Sequence, residues 1–309
     1  MFSHPYWLFI LGPLSCDQKH VTLLVGGNDF YGLSFVDTVD VLFSLPQNPG
    51  QIYSLDNVID PVPEAIFRTT STQISSSEIL VCGINFFTEV YRCYKLDITT
   101  GEWISIASPL PDPTFGNYGF SQLLFVNNNS IASHGNNDTV LLLGQSQQVY
   151  YLDLEQEAWN KLTEWEFDDP AEGRCVLPVD NTLYSLGGKA NPYEVLRLDS
   201  VGQDVKRWTI LDDMPRPRIG HACLLVRGED GMQRIVLTGG VEDQTDQGLF
   251  PPLIKEVDWL KIDDQGNLAW ETGPESSLVN IQFDHQMVNL GGEMPAVIGI
   301  FAQITEYFK

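Results

Sequence analysis

Six times along the chain an apolar run stops on glycine. The stops are Leu23-Leu24-Val25-Gly26-Gly27, Ile79-Leu80-Val81-Cys82-Gly83, Leu141-Leu142-Leu143-Gly144, Tyr184-Ser185-Leu186-Gly187-Gly188, Ile235-Val236-Leu237 closing on Gly239-Gly240, and Ala296-Val297-Ile298-Gly299. They are spaced by 44 to 61 residues. Recurrence at such a period means one small structural unit used repeatedly, each copy leaning on the next to bury its faces. The unit is plainest between Pro215 and Trp270. Ala222 to Val226 is followed by a turn at Gly228 to Gly231 and a second run at Ile235 to Leu237; after a polar loop come Val257 to Ile262, a turn at Asp263 to Asn267, and a last run closing on Trp270. Runs of strand length joined by Gly, Asp and Asn turns leave no room for a helical crossover, so they read as a four-stranded antiparallel meander, strands A to D.

A second signal stands at a fixed place after the first. Strand C carries Tyr94-Lys95-Leu96-Asp97, Tyr150-Tyr151-Leu152-Asp153, Leu196-Arg197-Leu198-Asp199 and Leu260-Lys261-Ile262-Asp263, and each is followed on strand D by Trp103, Trp159, Trp208 or Trp270. An Asp there can accept hydrogen bonds from its own turn, and a large ring on strand D can fill the gap between neighbouring sheets. The residues are core and punctuation, not a site. Four strands at a period near 50 match the blades of a propeller. The expected fold is all-β: a six-bladed β-propeller of four-stranded antiparallel blades, with repeats at roughly 21–62, 63–112, 113–168, 169–213, 214–275 and 276–309.

The two ends leave the closing blade incomplete. The first repeat shows strands B, C and D without a clear A, and the sixth stops inside its C strand at Lys309. Within residues 1–20, Trp7 to Leu11 reads either as a closing strand or as the apolar part of a secretory signal, although no Lys or Arg precedes it.

The net charge of −24 repels phosphate backbones and anionic lipid surfaces, so nucleic-acid and membrane-surface binding are not expected. The acidity reads as a solvating surface, or more sharply as attraction for a cationic partner or Ca²⁺. No apolar run approaches the roughly 20 residues of a spanning helix.

Here the chain resembles the kelch family. The double glycine ending strand B, the aromatic or Leu on strand C, the later tryptophan, and Met214-Pro215-x-x-Arg218-x-Gly220-His221 before strand A all fit its repeat. The likeness covers about Val21 to the end; the third and sixth repeats depart from it with Gln145 and Ile300 in place of the second glycine, and the first lacks the tryptophan. In such a meander the B-to-C and D-to-A loops emerge together, and the resemblance implies that this face binds a partner. The candidate binding residues on it are Tyr31, Phe86, Tyr118, Arg174, Tyr193, Arg216, Arg218 and His221, since exposed aromatics with an occasional Arg are the makings of an interaction hot spot. Some kelch domains use Arg residues placed like Arg174 and Arg218 to grip acidic peptides; the alternative is ion pairing within the acidic surface. His221 and His285 fall where kelch repeats carry a His as part of the fold.

Cysteines bear on compartment. If register sets 84 against 91, Cys82 faces Cys93 across the hairpin and a disulfide is within reach. Cys175 and Cys223 occupy similar places on neighbouring A strands and read as free buried thiols. Asn128-Asn129-Ser130 and Asn137-Asp138-Thr139 are glycosylation acceptors, at Asn128 and Asn137, should the protein be secreted. Secretion is therefore slightly favoured over a cytoplasmic location.

Catalytic signals are sparse. The five histidines show no metal-ligand pairing, there is no C-x-x-C, no Gly-x-Ser-x-Gly elbow, and the Gly-Gly pairs precede no helix. Asp168-Asp169 and Asp212-Asp213 read as solvated loop acids. The expected function is a non-enzymatic binding module for a protein or peptide, without metal or cofactor and working as a monomer. The alternative is a carbohydrate-active enzyme resembling kelch-type mutarotases or galactose-oxidase-like proteins, with carboxylates and His221 in the central pocket.

Overall fold

The protein is seen in a computed structural model. It describes most of residues 59–106, 122–127, 130–132, 138–143, 149–162, 172–200, 206–242, 252–263 and 266–277, and the backbone of strands nearer the two ends.

All the regular structure among the described residues is antiparallel β. The first sheet holds β1 (Leu14–Cys16), β2 (Lys19–Asn28), β3 (Phe35–Leu45) and β4 (Asn48–Ser54); the second β5 (Ile66–Gln73), β6 (Glu78–Asn85), β7 (Tyr91–Asp97) and β8 (Glu102–Ser105). The third holds β9 (Gln122–Val126), β10 (Thr139–Leu143), β11 (Val149–Asp153) and β12 (Ala158–Leu162); the fourth β13 (Cys175–Val179), β14 (Thr182–Leu186), β15 (Val195–Ser200) and β16 (Lys206–Ile210). The fifth holds β17 (Ala222–Arg227), β18 (Gln233–Thr238), β19 (Glu256–Ile262) and β20 (Leu268–Ser277), and a three-stranded sheet follows with β21 (Gln286–Asn289), β22 (Pro295–Ile298) and β23 (Ile304–Tyr307). Each sheet runs in sequence order, a meander. The first strands lie side by side, β5 next to β9, β9 to β13, β13 to β17 and β17 to β21, which is a propeller arrangement. Four complete blades, β5 to β20, are described with their side chains, not the six of the sequence reading; the outer two sheets are described by backbone alone. The first strand of the N-terminal sheet is Leu14–Cys16; the closing strand expected at residues 7–11 lies outside the described residues.

The seams between blades are the core. Leu80 and Cys82 of β6 pack with Val140 and Leu142 of β10 and with Trp159 of β12, so the third blade's tryptophan faces the blade before it. Trp208 packs likewise on the seam that joins the third and fourth blades through Leu141, Leu143, Val176 and Leu183, and Trp270 on the seam of Leu186, Val195, Leu237 and Leu260. A single blade is too thin to bury both faces, so these apolar seams hold the neighbours together. Polar ties supplement them where inner strands meet without a backbone ladder. Thr70 Oγ1 accepts from the Leu123 amide at 2.9 Å, and the Gln122 side chain both donates to the Val176 carbonyl at 2.5 Å and accepts from its amide at 2.8 Å.

The glycine pairs of the fourth and fifth blades end strand B where a lead-in to a first strand crosses, the next blade's at Gly187 and the same blade's at Gly240. Gly187 has φ +59° and a Cβ there would overlap the Arg218 carbonyl oxygen; Gly240 has φ +85° and a Cβ would come within 2.9 Å of the Ile219 carbonyl oxygen. Both need the left-handed region and a bare Cα. Gly187→Ala should therefore destabilise the protein by about 2–4 kcal/mol, strain and overlap combined, read as a lowered urea midpoint.

The Asp punctuation is built as the turns require. Asp97 Oδ1 accepts from the Thr99 amide at 2.8 Å and hydroxyl at 2.6 Å, Asp153 Oδ1 from the Glu155 and Gln156 amides at 2.9 and 3.0 Å, and Asp263 Oδ1 from the Asn267 amide at 2.8 Å. Asp199 departs from the pattern and accepts from Arg197 at 2.8 Å instead. The Thr99 hydroxyl holds the Asp97 carboxyl below its usual range, and the Arg234 guanidinium holds Asp230 down at about 2. A depressed folded value contributes stability above the unfolded value of about 4, and that contribution is lost as pH falls through the folded value. Acid unfolding should accordingly develop between about pH 4 and 2, and Arg234→Gln should move its midpoint upward when followed by circular dichroism.

Two disulfides are present. Cys82 and Cys93 are directly opposed in the register that also pairs Ile84 with Tyr91, and they are bridged as expected. Cys175 and Cys223 are bridged too, which corrects the reading of both as free thiols. One lies at the start of β13 and the other on β17, so adjacent inner strands bring their equivalent positions within reach and a covalent link joins two blades. Two bridges fit an oxidising, extracellular setting. No helix among the described residues is long and apolar enough to cross a membrane.

Candidate functional site

The loops that join second to third strands meet the lead-ins to first strands on one side of the blades. Backbone bonds fix the meeting: the Arg218 amide donates to the Pro192 carbonyl at 2.8 Å, the Met214 amide to Tyr193 at 2.7 Å, and the Gly220 amide to Gly173 at 2.9 Å. Ile219 and Val241 exchange two bonds of 3.0 Å, and the Glu242 amide donates to Pro252 at 3.1 Å. Consecutive loops of the fourth and fifth blades are thus locked into one continuous rim.

The arginines of the sequence reading do not stand on that rim as free cations. Arg218 is fully buried. Its Nη2 donates to Asp258 Oδ2 at 2.7 Å and to the Glu256 carbonyl at 2.7 Å, and its Nη1 donates to the Gly239 carbonyl at 2.5 Å. Burial pushes the guanidinium pKa down, while the adjacent Asp258 carboxylate opposes that shift; guanidinium remains charged regardless. Arg216 bonds the other oxygen of Asp258 and is half-buried. Arg174 is buried and bonded to Glu194 at 2.7 Å. The alternative of pairing within the acidic protein is the one the structure supports: Arg218 and Arg174 tie strand A to strand C of their own blades and present no surface for an acidic peptide. His221 is buried as well, with the built Cβ position of Gly187 3.0 Å from its Cε1 and that of Gly240 2.9 Å from its Cβ, so it fills the space between two glycine-ended strands.

What the rim does expose is apolar. Phe87 is 80% exposed, Tyr193 44% and Leu253 36%, and all three belong to loops between second and third strands. Tyr193 is where the sequence placed it. Tyr31, Phe86 and Tyr118 lie outside the described residues, as do Asn128 and Asn137. Phe87 and Leu253 were not singled out as binding residues; a flag was available in the Phe86-Phe87 pair and in Leu253 standing just past two prolines. Among the described residues the other exposed large apolar side chains are Ile104 and Ile210, on the outer strands β8 and β16; Ile210 ends β16 where the chain turns toward the rim, whereas Ile104 pairs with Lys95 nearer the far end of its blade.

On the opposite side, an open groove of about 540 Å³ runs between the fourth and fifth blades, lined by Asp180, Tyr184, Arg197, Asp199, Gln233 and Asp263 among others. Within it Arg197 holds Asp199, and the Gln233 amide donates to Asp180 at 2.7 Å across the blade boundary. No group of three or more His, Cys, Asp or Glu side chains gathers as a metal site among the described residues.

No family profile and no curated protein sequence matches this chain. Solved structures do match. One is a fungal alcohol oxidase of the AA5 family in complex with copper, with a TM-score of 0.61 and 13% identity over 97% of this chain and 60% of that one. The present chain thus corresponds to less than two thirds of that enzyme's length. A likeness at this identity shows the propeller fold and nothing narrower.

Proposed function

We propose that the protein is a binding module of kelch type, a ring of six sheets completed by the two terminal ones, that engages a protein partner through the rim of loops between second and third strands. The observation that carries the reading is the set of exposed side chains Phe87, Tyr193 and Leu253 on that rim. Exposed aromatic side chains on loops are the groups that dominate the energetics of contact where a surface meets a partner. The two disulfides favour an extracellular place of action. The test is affinity capture from the medium of the native source, comparing three proteins: the natural chain, a Phe87→Ser/Tyr193→Ser/Leu253→Ser variant, and an Ile104→Ser variant. A partner lost from the first variant and retained by the second supports the reading; a partner retained by both sinks it.

The likeness to a copper alcohol oxidase favours a second reading, an oxidase or other carbohydrate-active enzyme. The donors described here do not fit a copper centre built from Tyr, His and a Cys-linked Tyr. Four of the five cysteines are closed in disulfides, and His221 is packed between glycine-ended strands. Stoichiometric copper in the purified protein, with peroxide formed from a primary alcohol, would favour the oxidase over the binder.

A further inference from the structure

We propose that the part of the rim on the fourth and fifth blades takes a basic protein segment anchored by apolar side chains, the reverse of the acidic peptide that the arginines at the strand A lead-ins first imply. This rests on the protein-binding reading above and specifies its partner.

The argument starts from which charges are already spent. Arg174 is consumed by Glu194 and Arg218 by Asp258, with Arg216 on the same carboxylate; Lys189 bonds Glu172 at 3.1 Å. What remains exposed around the apolar side chains is acidic. Asp212 and Asp213 stand exposed just ahead of Met214, whose amide is bonded to the Tyr193 carbonyl, so their stretch of chain runs alongside the loop that carries Tyr193. Glu242 is exposed on the loop whose backbone bonds Pro252, next to Leu253, and Glu256 is exposed three residues further on. Among the described residues none of these four acids makes an ion pair, and Lys255 is the exposed cation set among them. Tyr193 and Leu253 are therefore two apolar anchors on one backbone-locked surface, with Asp212, Asp213 and Glu242 exposed on the same stretches of chain and Glu256 partly balanced by Arg218. An acidic segment laid there would meet like charge, whereas Lys or Arg side chains flanking apolar anchors would meet complementary charge. The net charge of −24 adds long-range attraction of the same sign.

The experiment uses the full chain and two short fluorescein-labelled peptides, one alternating Lys and Leu, the other alternating Glu and Leu, followed by fluorescence anisotropy. General attraction by an acidic protein must be separated from binding at this surface, so two variants of equal charge are compared. Asp212→Asn/Asp213→Asn removes two carboxylates alongside the Tyr193 loop. Glu102→Gln/Glu155→Gln removes two exposed carboxylates from turns between third and fourth strands, on the other side. The Lys-Leu peptide is expected to bind the natural chain, with Kd raised roughly fivefold in the Asp212/Asp213 variant and left within about twofold in the Glu102/Glu155 variant. Tyr193→Ser should weaken it by about tenfold, the range for a partly exposed aromatic anchor. Equal weakening by the two charge variants, preference for the Glu-Leu peptide, or no binding of either peptide would each overturn the proposal. The capture experiment above separates its failure from that of the wider reading: a partner lost on Phe87→Ser/Tyr193→Ser/Leu253→Ser but indifferent to Asp212→Asn/Asp213→Asn leaves a binding module whose partner is not basic.

Discussion

Arg218→Ala is expected to cost about 3–5 kcal/mol of folding stability, measured by urea denaturation. The side chain is fully buried and its partner Asp258 is 5% exposed, so truncation leaves a carboxylate inside the blade with only the half-buried Arg216 to balance it. It also strips a donor from the carbonyls of Gly239 and Glu256. Arg218→Lys recovers only part of the loss, because a single ammonium cannot reach the carboxylate and both carbonyls that the guanidinium fork serves. Arg218→Ala/Asp258→Ala, which removes both charges, should be less destabilised than the sum of the two single changes. A loss below 1 kcal/mol in the single variant would mean that Arg218 is not the internal tie described here.

The second large effect belongs to the bridge between blades. Cys175→Ser/Cys223→Ser should lower stability by about 2–5 kcal/mol. The bonded residues are 48 apart in sequence, against 11 for Cys82 and Cys93, and a longer closed loop restricts the unfolded chain more. Removal of the long bridge should exceed removal of the short one by roughly 1 kcal/mol if native contacts are otherwise kept. Thermal unfolding of the two double variants under non-reducing conditions makes the comparison. An unchanged midpoint in Cys175→Ser/Cys223→Ser would contradict a covalent link between the fourth and fifth blades.

What was legible in the sequence was local. In the fourth and fifth blades the glycine stops mark the ends of strand B because a left-handed Cα without a side chain is required where a lead-in crosses, as at Gly187 and Gly240; Gly83 instead lies inside β6. The Cys82–Cys93 bridge followed from hairpin register, which depends only on the turn between two adjacent strands. The tryptophans announced the seams because a ring of that size on an outer strand has only a neighbouring blade to bury it.

The rest depended on distance across blades or loops. Cys175 and Cys223 were legible as equivalent places on neighbouring first strands, but a buried cysteine looks the same bridged or free, and only the assembled blades show the two sulfurs in bonding distance. Arg218 stands where an exposed Arg and a buried one look alike; its partner Asp258 sits forty residues on, in the middle of an apolar strand, and only the assembled blade brings the two together. Asp258 itself was the missed clue, a lone carboxylate between Val257 and Trp259 that an apolar strand would not bury without a cation. Asp212 and Asp213 were read as solvated loop acids, and they are exposed; their place alongside the Tyr193 loop became visible only through the Met214 backbone bond.

The claim at the centre of this account is that the rim, not the outer strands, meets a partner. Incorporating a photoreactive benzoylphenylalanine at position 87 or 193, and in a separate protein at 104, tests it without any assumption about what the partner is. The account predicts a discrete cross-linked adduct from positions 87 and 193 and none from 104. Adducts from the outer strands alone would contradict it.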